Sequence, residues 1–91
     1  MNNFTLTAVY LDESQLNYII TLSTAFAQEQ KNFNFEYFDS NSSFCSIHGV
    51  DTFPSFYFMK NSKVAFIIQG KLGYSELKMK LRDRSYVIFD E

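Results

Sequence analysis

Residues 44–70 read FCSIHGVDTFPSFYFMKNSKVAFIIQG, and most of the fold can be read from them. Thr52 to Lys60 is an aromatic, β-rich run that begins at the only proline, Pro54. Asn61-Ser62 is a two-residue turn, and Lys63 to Gln69 is a second β-rich run. The spacing therefore predicts a β-hairpin over residues 54–69. Upstream, Asp39-Ser-Asn-Ser-Ser43 carries turn and capping chemistry, and Gly49 offers a helix stop. A short helix is expected through Phe44, Cys45 and Ile47. Downstream, Gly70-Lys-Leu-Gly73 is a loop. Ser75 is read as the cap of a last helix that passes through Leu77 and Leu81 to about Asp83.

Working toward the N-terminus, Phe33, Phe35 and Tyr37 alternate with Asn34 and Glu36, which predicts a half-buried strand. Leu16, Ile19, Ile20 and Ala27, with Leu22 and Phe26 close by, are spaced for one buried helical stripe over residues 15–30. Asp12-Glu13-Ser14 supplies its start, with acidic groups placed favourably for the helix dipole. Residues 4–11 are apolar on both faces toward their end, as suits a central strand. The expected order is β-α-β-(short α)-β-β-α, an α/β sandwich in a single unit over residues 1–84 with an apolar tail at 85–91.

Composition sets limits on this unit. A chain of 91 residues buries only about 60–65% of the surface that it exposes when unfolded. One cysteine, Cys45, cannot form a disulfide within the chain. Aromatic residues make up 19% of the sequence and take over the stabilising role that disulfides often play in small domains. The N-terminus lacks the pattern of a secretion signal, and no apolar stretch is long enough to span a membrane, so the reading is cytoplasmic. The overall charge of −2 hides an asymmetry. Residues 1–59 carry a net −5, residues 60–84 a net +5, and the tail a net −2. A basic segment of this kind can bind a polyanion, but no basic run exceeds two adjacent positions. Nucleic acid is therefore not the expected partner.

The run from Phe44 to Val50, then Asp51-Thr-Phe-Pro54, then the hairpin with its Lys-Asn-Ser-Lys turn and Gln69-Gly70, resembles the thioredoxin family over roughly residues 4–84. The resemblance implies a four-stranded mixed sheet in the order 2-1-3-4. It also implies a cis Phe53–Pro54 peptide, and a groove in which the backbone before that proline meets an extended partner. It departs from the family at the chemistry. Thioredoxins carry Cys-x-x-Cys at the first helix start, where the helix N-terminus lowers the pKa of one thiol and the other resolves the mixed disulfide. Here that place reads Asp12-Glu-Ser-Gln-Leu16, with Glu13 and Leu16 nearest the two cysteine positions. The N-terminal strand and helix of larger thioredoxins are also absent, which sets Phe33–Phe38 at the sheet edge.

The expected function is a redox-inactive protein-interaction module, and dithiol oxidoreductase activity is not expected. Its binding residues are Asp12, Glu13, Ser14, Gln15, Phe53, Pro54, Ser55 and Gly70, with no catalytic residue, metal or cofactor. One alternative is a divergent enzyme of the thioredoxin and glutathione superfamily, with Ser14 holding a bound thiolate. Another is polyanion binding through residues 60–84. Cys45 is read as a small buried hydrophobe, and His48 as packing at the core edge. The partner is expected to be a protein, with homodimerisation through the Phe33–Phe38 edge or the tail as a further expectation.

Overall fold

The run Phe4–Tyr10 forms the central strand β1, and all but Thr5 and Tyr10 are nearly sealed from solvent. The computed structural model describes residues 4–29 and 34–85. After β1 come α1 (Glu13–Glu29), β2 (Asn34–Asp39), α2 (Ser43–His48), β3 (Ser55–Lys60), β4 (Lys63–Gln69) and α3 (Tyr74–Ser85). The strands form one sheet in the order β2-β1-β3-β4, parallel between β1 and β2 and antiparallel elsewhere. This is the expected mixed sheet, with Asn34–Asp39 at one edge. Phe33 lies outside the described residues.

The register explains the two faces. Leu6 and Ala8 share a face with Phe56, Phe58 and Ile68, and α1 and α3 close it with Ile19, Leu22, Phe26, Leu77 and Leu81. Burial of these large apolar side chains is the main favourable term in folding. On the opposite face Val9 and Tyr57 pack against Cys45 and Phe44 of α2. Phe38 stacks on Phe44 with ring centres 5.5 Å apart.

The helical stripe differs from the sequence reading. Ile19, Leu22 and Phe26 are buried, but Ile20 is 41% exposed and Ala27 is also exposed. A helix advances about 100° per residue, which turns Ile20 and Ala27 away from the axis defined by Ile19 and Phe26. The last helix also starts earlier than expected. The Leu77 N–H donates to the Gly73 carbonyl at 2.9 Å, so Ser75 lies inside the first turn instead of capping it.

Local chemistry sets the short elements. The Ser42 hydroxyl caps α2 by accepting from the Cys45 N–H, and Gly49 ends it in the left-handed conformation at φ 61°. The hairpin turns through Asn61 and Ser62, both with positive φ (54° and 65°). Two-residue turns of this kind match strand twist but favour glycine at the second position, because a Cβ is crowded there. Ser62→Gly is therefore expected to stabilise the chain by about 0.5–1 kcal/mol. The check is a rise of a few degrees in the thermal midpoint; an unchanged or lower midpoint would contradict the assigned turn.

Candidate functional site

The sequence-selected residues converge where β1 leaves the sheet and β3 begins. Val9 pairs with Ser55 in the antiparallel register. On the other side Ser55 pairs with Gln69, and the Gly70 N–H donates to the Pro54 carbonyl at 3.0 Å. The exit of β1 toward the α1 start, the Phe53–Pro54 entry to β3 and the Gly70 exit from β4 thus share one end of three adjacent strands. The Phe53–Pro54 peptide is cis.

The helix tip is occupied by its own side chains. Asp12 is the cap: its carboxylate accepts from the Gln15 N–H at 3.0 Å, and its carbonyl accepts from the Leu16 N–H. Gln15 reaches back, its side-chain oxygen accepting from the Leu11 N–H at 2.7 Å. This reciprocal pair satisfies donors that a helix start otherwise leaves open. Asp12, Glu13 and Ser14 are exposed and Gln15 is half-buried. Two carboxylates at the tip suit the helix dipole, and they repel an incoming thiolate. The cap thus works against the reading in which Ser14 holds such a group.

Ser55 takes a different role from the one expected of a binding residue. It is 1% exposed, and its hydroxyl donates to the Thr52 carbonyl at 2.6 Å. It braces the bend before Pro54 and is hidden from solvent. Leu11, by contrast, escaped the sequence reading, which merged it into the strand. It is 58% exposed, at the end of β1 where the α1 cap begins. The one available signal was its place immediately before the acidic helix start.

Phe53 is the distinctive backbone position. It is half-buried, and neither its N–H nor its carbonyl hydrogen-bonds within the described residues. Asp51, two residues before it, is exposed and close enough to Tyr57 to help raise that phenol's pKa, after the larger effect of burial.

Cys45 and His48 lie in different surroundings. Cys45 is 4% exposed and its thiol donates to the Asp39 carbonyl at 3.3 Å. His48 is exposed, with its ring 4.4 Å from that of Phe44. A thiol-specific reagent is expected to label native Cys45 roughly 100-fold more slowly than the urea-unfolded chain, since access needs local opening. Equal rates would place this thiol on the surface. Of the basic segment, Lys71, Lys78 and Arg84 lie over the rings of Tyr18, Tyr74 and Phe66. Among the described residues no group of three or more His, Cys, Asp or Glu is placed to hold a metal ion. No described helix is long and apolar enough to cross a membrane.

Sheet order, connectivity and the layers on each face define a thioredoxin fold. Solved structures agree. The chain is similar to a thioredoxin variant from Halobacterium salinarum NRC-1, with a TM-score of 0.75 and 17% identity over 96% of this chain and 79% of that one. It is similar to thioredoxin f2 from Chlamydomonas reinhardtii, with a TM-score of 0.75 and 13% identity over 97% and 84% of the two chains. A structure described as a malarial protein matches with a TM-score of 0.67 and 12% identity, over 92% of this chain and 99% of that one. No sequence-family model matches the chain, and no curated protein matches it in sequence.

Proposed function

We propose that this chain is a thioredoxin-fold binding module, without thiol chemistry, that takes up an extended protein segment beside Phe53. The carrying observation is the backbone of Phe53, unpaired within the described residues, at the end of the sheet where the side chain of Leu11 is also exposed. Unpaired backbone groups can hold an extended segment, with main-chain hydrogen bonds giving affinity and flanking side chains giving selectivity. The redox-inactive half of the reading rests on the residues at the helix tip. No sulfur stands there, and the one thiol in the chain is buried under α2.

The test is selection of extended peptides from a displayed library, followed by amide chemical-shift mapping on the full chain. Shifts centred on Leu11, Phe53 and Gly70, and a loss of affinity of at least roughly tenfold in Leu11→Asp, support the reading. Shifts centred on α3, or turnover of a disulfide substrate in the presence of a dithiol reductant, would overturn it.

A further inference from the structure

α2 is six residues long and covers one end of its face of the sheet, over Val9, Phe38 and Tyr57. Side chains alternate along a strand, so Thr5 and Thr7 share that face with Val9. The register sets Asn34 and Glu36 of β2 beside Thr5 and Thr7, and Met59 of β3 beside Thr5 on the other side. A hollow of about 340 Å³ opens over this uncovered end, with Phe44 and His48 of α2 along its rim. Its floor lies at the end of β1 farthest from Pro54, so the hollow is separate from the site beside Phe53. The apolar tail at 86–91 lies outside the described residues, and the hollow is defined without it.

The groups that line the hollow are of two kinds. Phe44 and Met59, both half-buried, are apolar and polarisable walls. Glu36 and Asn34 are acceptors held by the strands beside them. The buried Thr7 hydroxyl donates to Glu36 Oε1 at 3.1 Å, and the other carboxylate oxygen has no partner among the described residues. Asn34 donates through Nδ2 to the Phe4 carbonyl at 3.3 Å, which leaves its Oδ1 as a second acceptor. Among the described residues that line the hollow there is no lysine, no arginine and no second carboxylate.

We propose that this hollow binds a small aromatic cation, of aryl-amidinium or aryl-ammonium chemistry, with its charged head on Glu36 and its ring against Phe44 and Met59. Size, sign and walls select that class. Ligand pockets run from about 300 to 1,000 Å³, and a hollow of about 340 Å³ admits one ring and a short polar head. A cationic N–H makes a charge-assisted bond to a carboxylate, about twice as strong as a neutral one. An anion meets Glu36 with like charge. An aromatic ring gains edge or offset contact with Phe44 and a sulfur contact with Met59. A planar amidinium carries donors enough for both Glu36 and Asn34.

The test titrates the full chain at pH 8 with benzamidine, its neutral analogue benzamide and its anionic analogue benzoate. Saturable benzamidine shifts are expected at the Met59 methyl and the Thr5 and Asn34 amides, at about millimolar concentration or below. The methyl signal of Met79, 59% exposed on α3, should stay in place. Benzamide should bind at least roughly tenfold more weakly, and benzoate should cause no shift at these residues. Glu36→Gln keeps an acceptor for Thr7 and removes the charge, so it should weaken benzamidine by about tenfold, to the level of benzamide. Equal affinity for the three probes, shifts that do not saturate or that centre elsewhere, or unchanged benzamidine affinity in Glu36→Gln would each overturn the proposal. The comparison of probes uses the unsubstituted chain and decides the matter even if the variant misfolds.

Discussion

Phe26→Ala is expected to leave much of the chain unfolded at 37 °C. Phe26 is fully buried, its ring 4.6 Å from that of Tyr74 and 5.8 Å from that of Phe35. It therefore joins α1, α3 and the edge strand β2 through one side chain. Truncating a buried phenylalanine costs about 3–5 kcal/mol through lost transfer energy and the cavity left behind. A domain of this size holds only about 5–14 kcal/mol in total. Urea titration followed by circular dichroism measures the effect, and Ile20→Ala serves as the control. Ile20 is half out in solvent on the same helix, so its loss should cost about 1 kcal/mol or less. Similar midpoints for the two variants would mean that α1 does not pack by the Ile19–Leu22–Phe26 stripe.

The second large effect belongs to Tyr18. Its hydroxyl donates to the Leu72 carbonyl at 2.5 Å and accepts from the Leu72 N–H at 2.6 Å, fastening the β4–α3 loop to α1. Tyr18→Phe keeps the ring, which meets Phe56 edge-on, but strands two partly buried backbone groups. A loss of about 2–3 kcal/mol is expected, read as a lower urea midpoint.

The same phenol gives the fold a pH signature. Burial raises its pKa above the ordinary 10.0; the hydrogen bond with Leu72 opposes this, and the Glu76 carboxylate adds to it. Tyr57 shifts in the same direction, through burial first and then Asp51 and Cys45. With both pKa values raised on folding, the unfolded chain deprotonates first. The stabilising contribution is complete below about pH 10 and is lost as pH rises through the folded-state values. The thermal midpoint should therefore decline in alkaline buffer, and more shallowly in Tyr18→Phe than in the parent. Identical slopes would remove Tyr18 from the account.

Patterns that depend on near neighbours were legible in the sequence. Two β-rich runs on either side of the Asn61-Ser62 turn gave the hairpin, and Ser42 and Gly49 bracket the short helix as their chemistry requires. Strand order came from the resemblance, since parallel pairing of β1 with β2 leaves no local mark. What escaped were relations between distant positions. The contact between Tyr18 and Leu72 joins residues 54 apart, and no periodicity announces it. Periodicity named Ile20 as apolar without saying on which side of the helix the sheet lies. At the candidate site, residue types revealed the acidic helix start and the proline. Only the structure showed that Leu11 stays exposed at the strand end and that Ser55 turns inward.

The Asp12 cap also bears on whether this scaffold could host a dithiol site. Grafting cysteines at positions 13 and 16 would restore the sulfur atoms but not their reactivity. The new thiol at the tip would sit next to a carboxylate that already occupies the polarised amide at the helix start. Its ionisation would be suppressed where a working dithiol needs it promoted. A chain engineered to exchange disulfides would therefore need a neutral residue at position 12 as well. On the proposed reading, the electrostatics of the first helical turn oppose dithiol chemistry as much as the absence of sulfur there does.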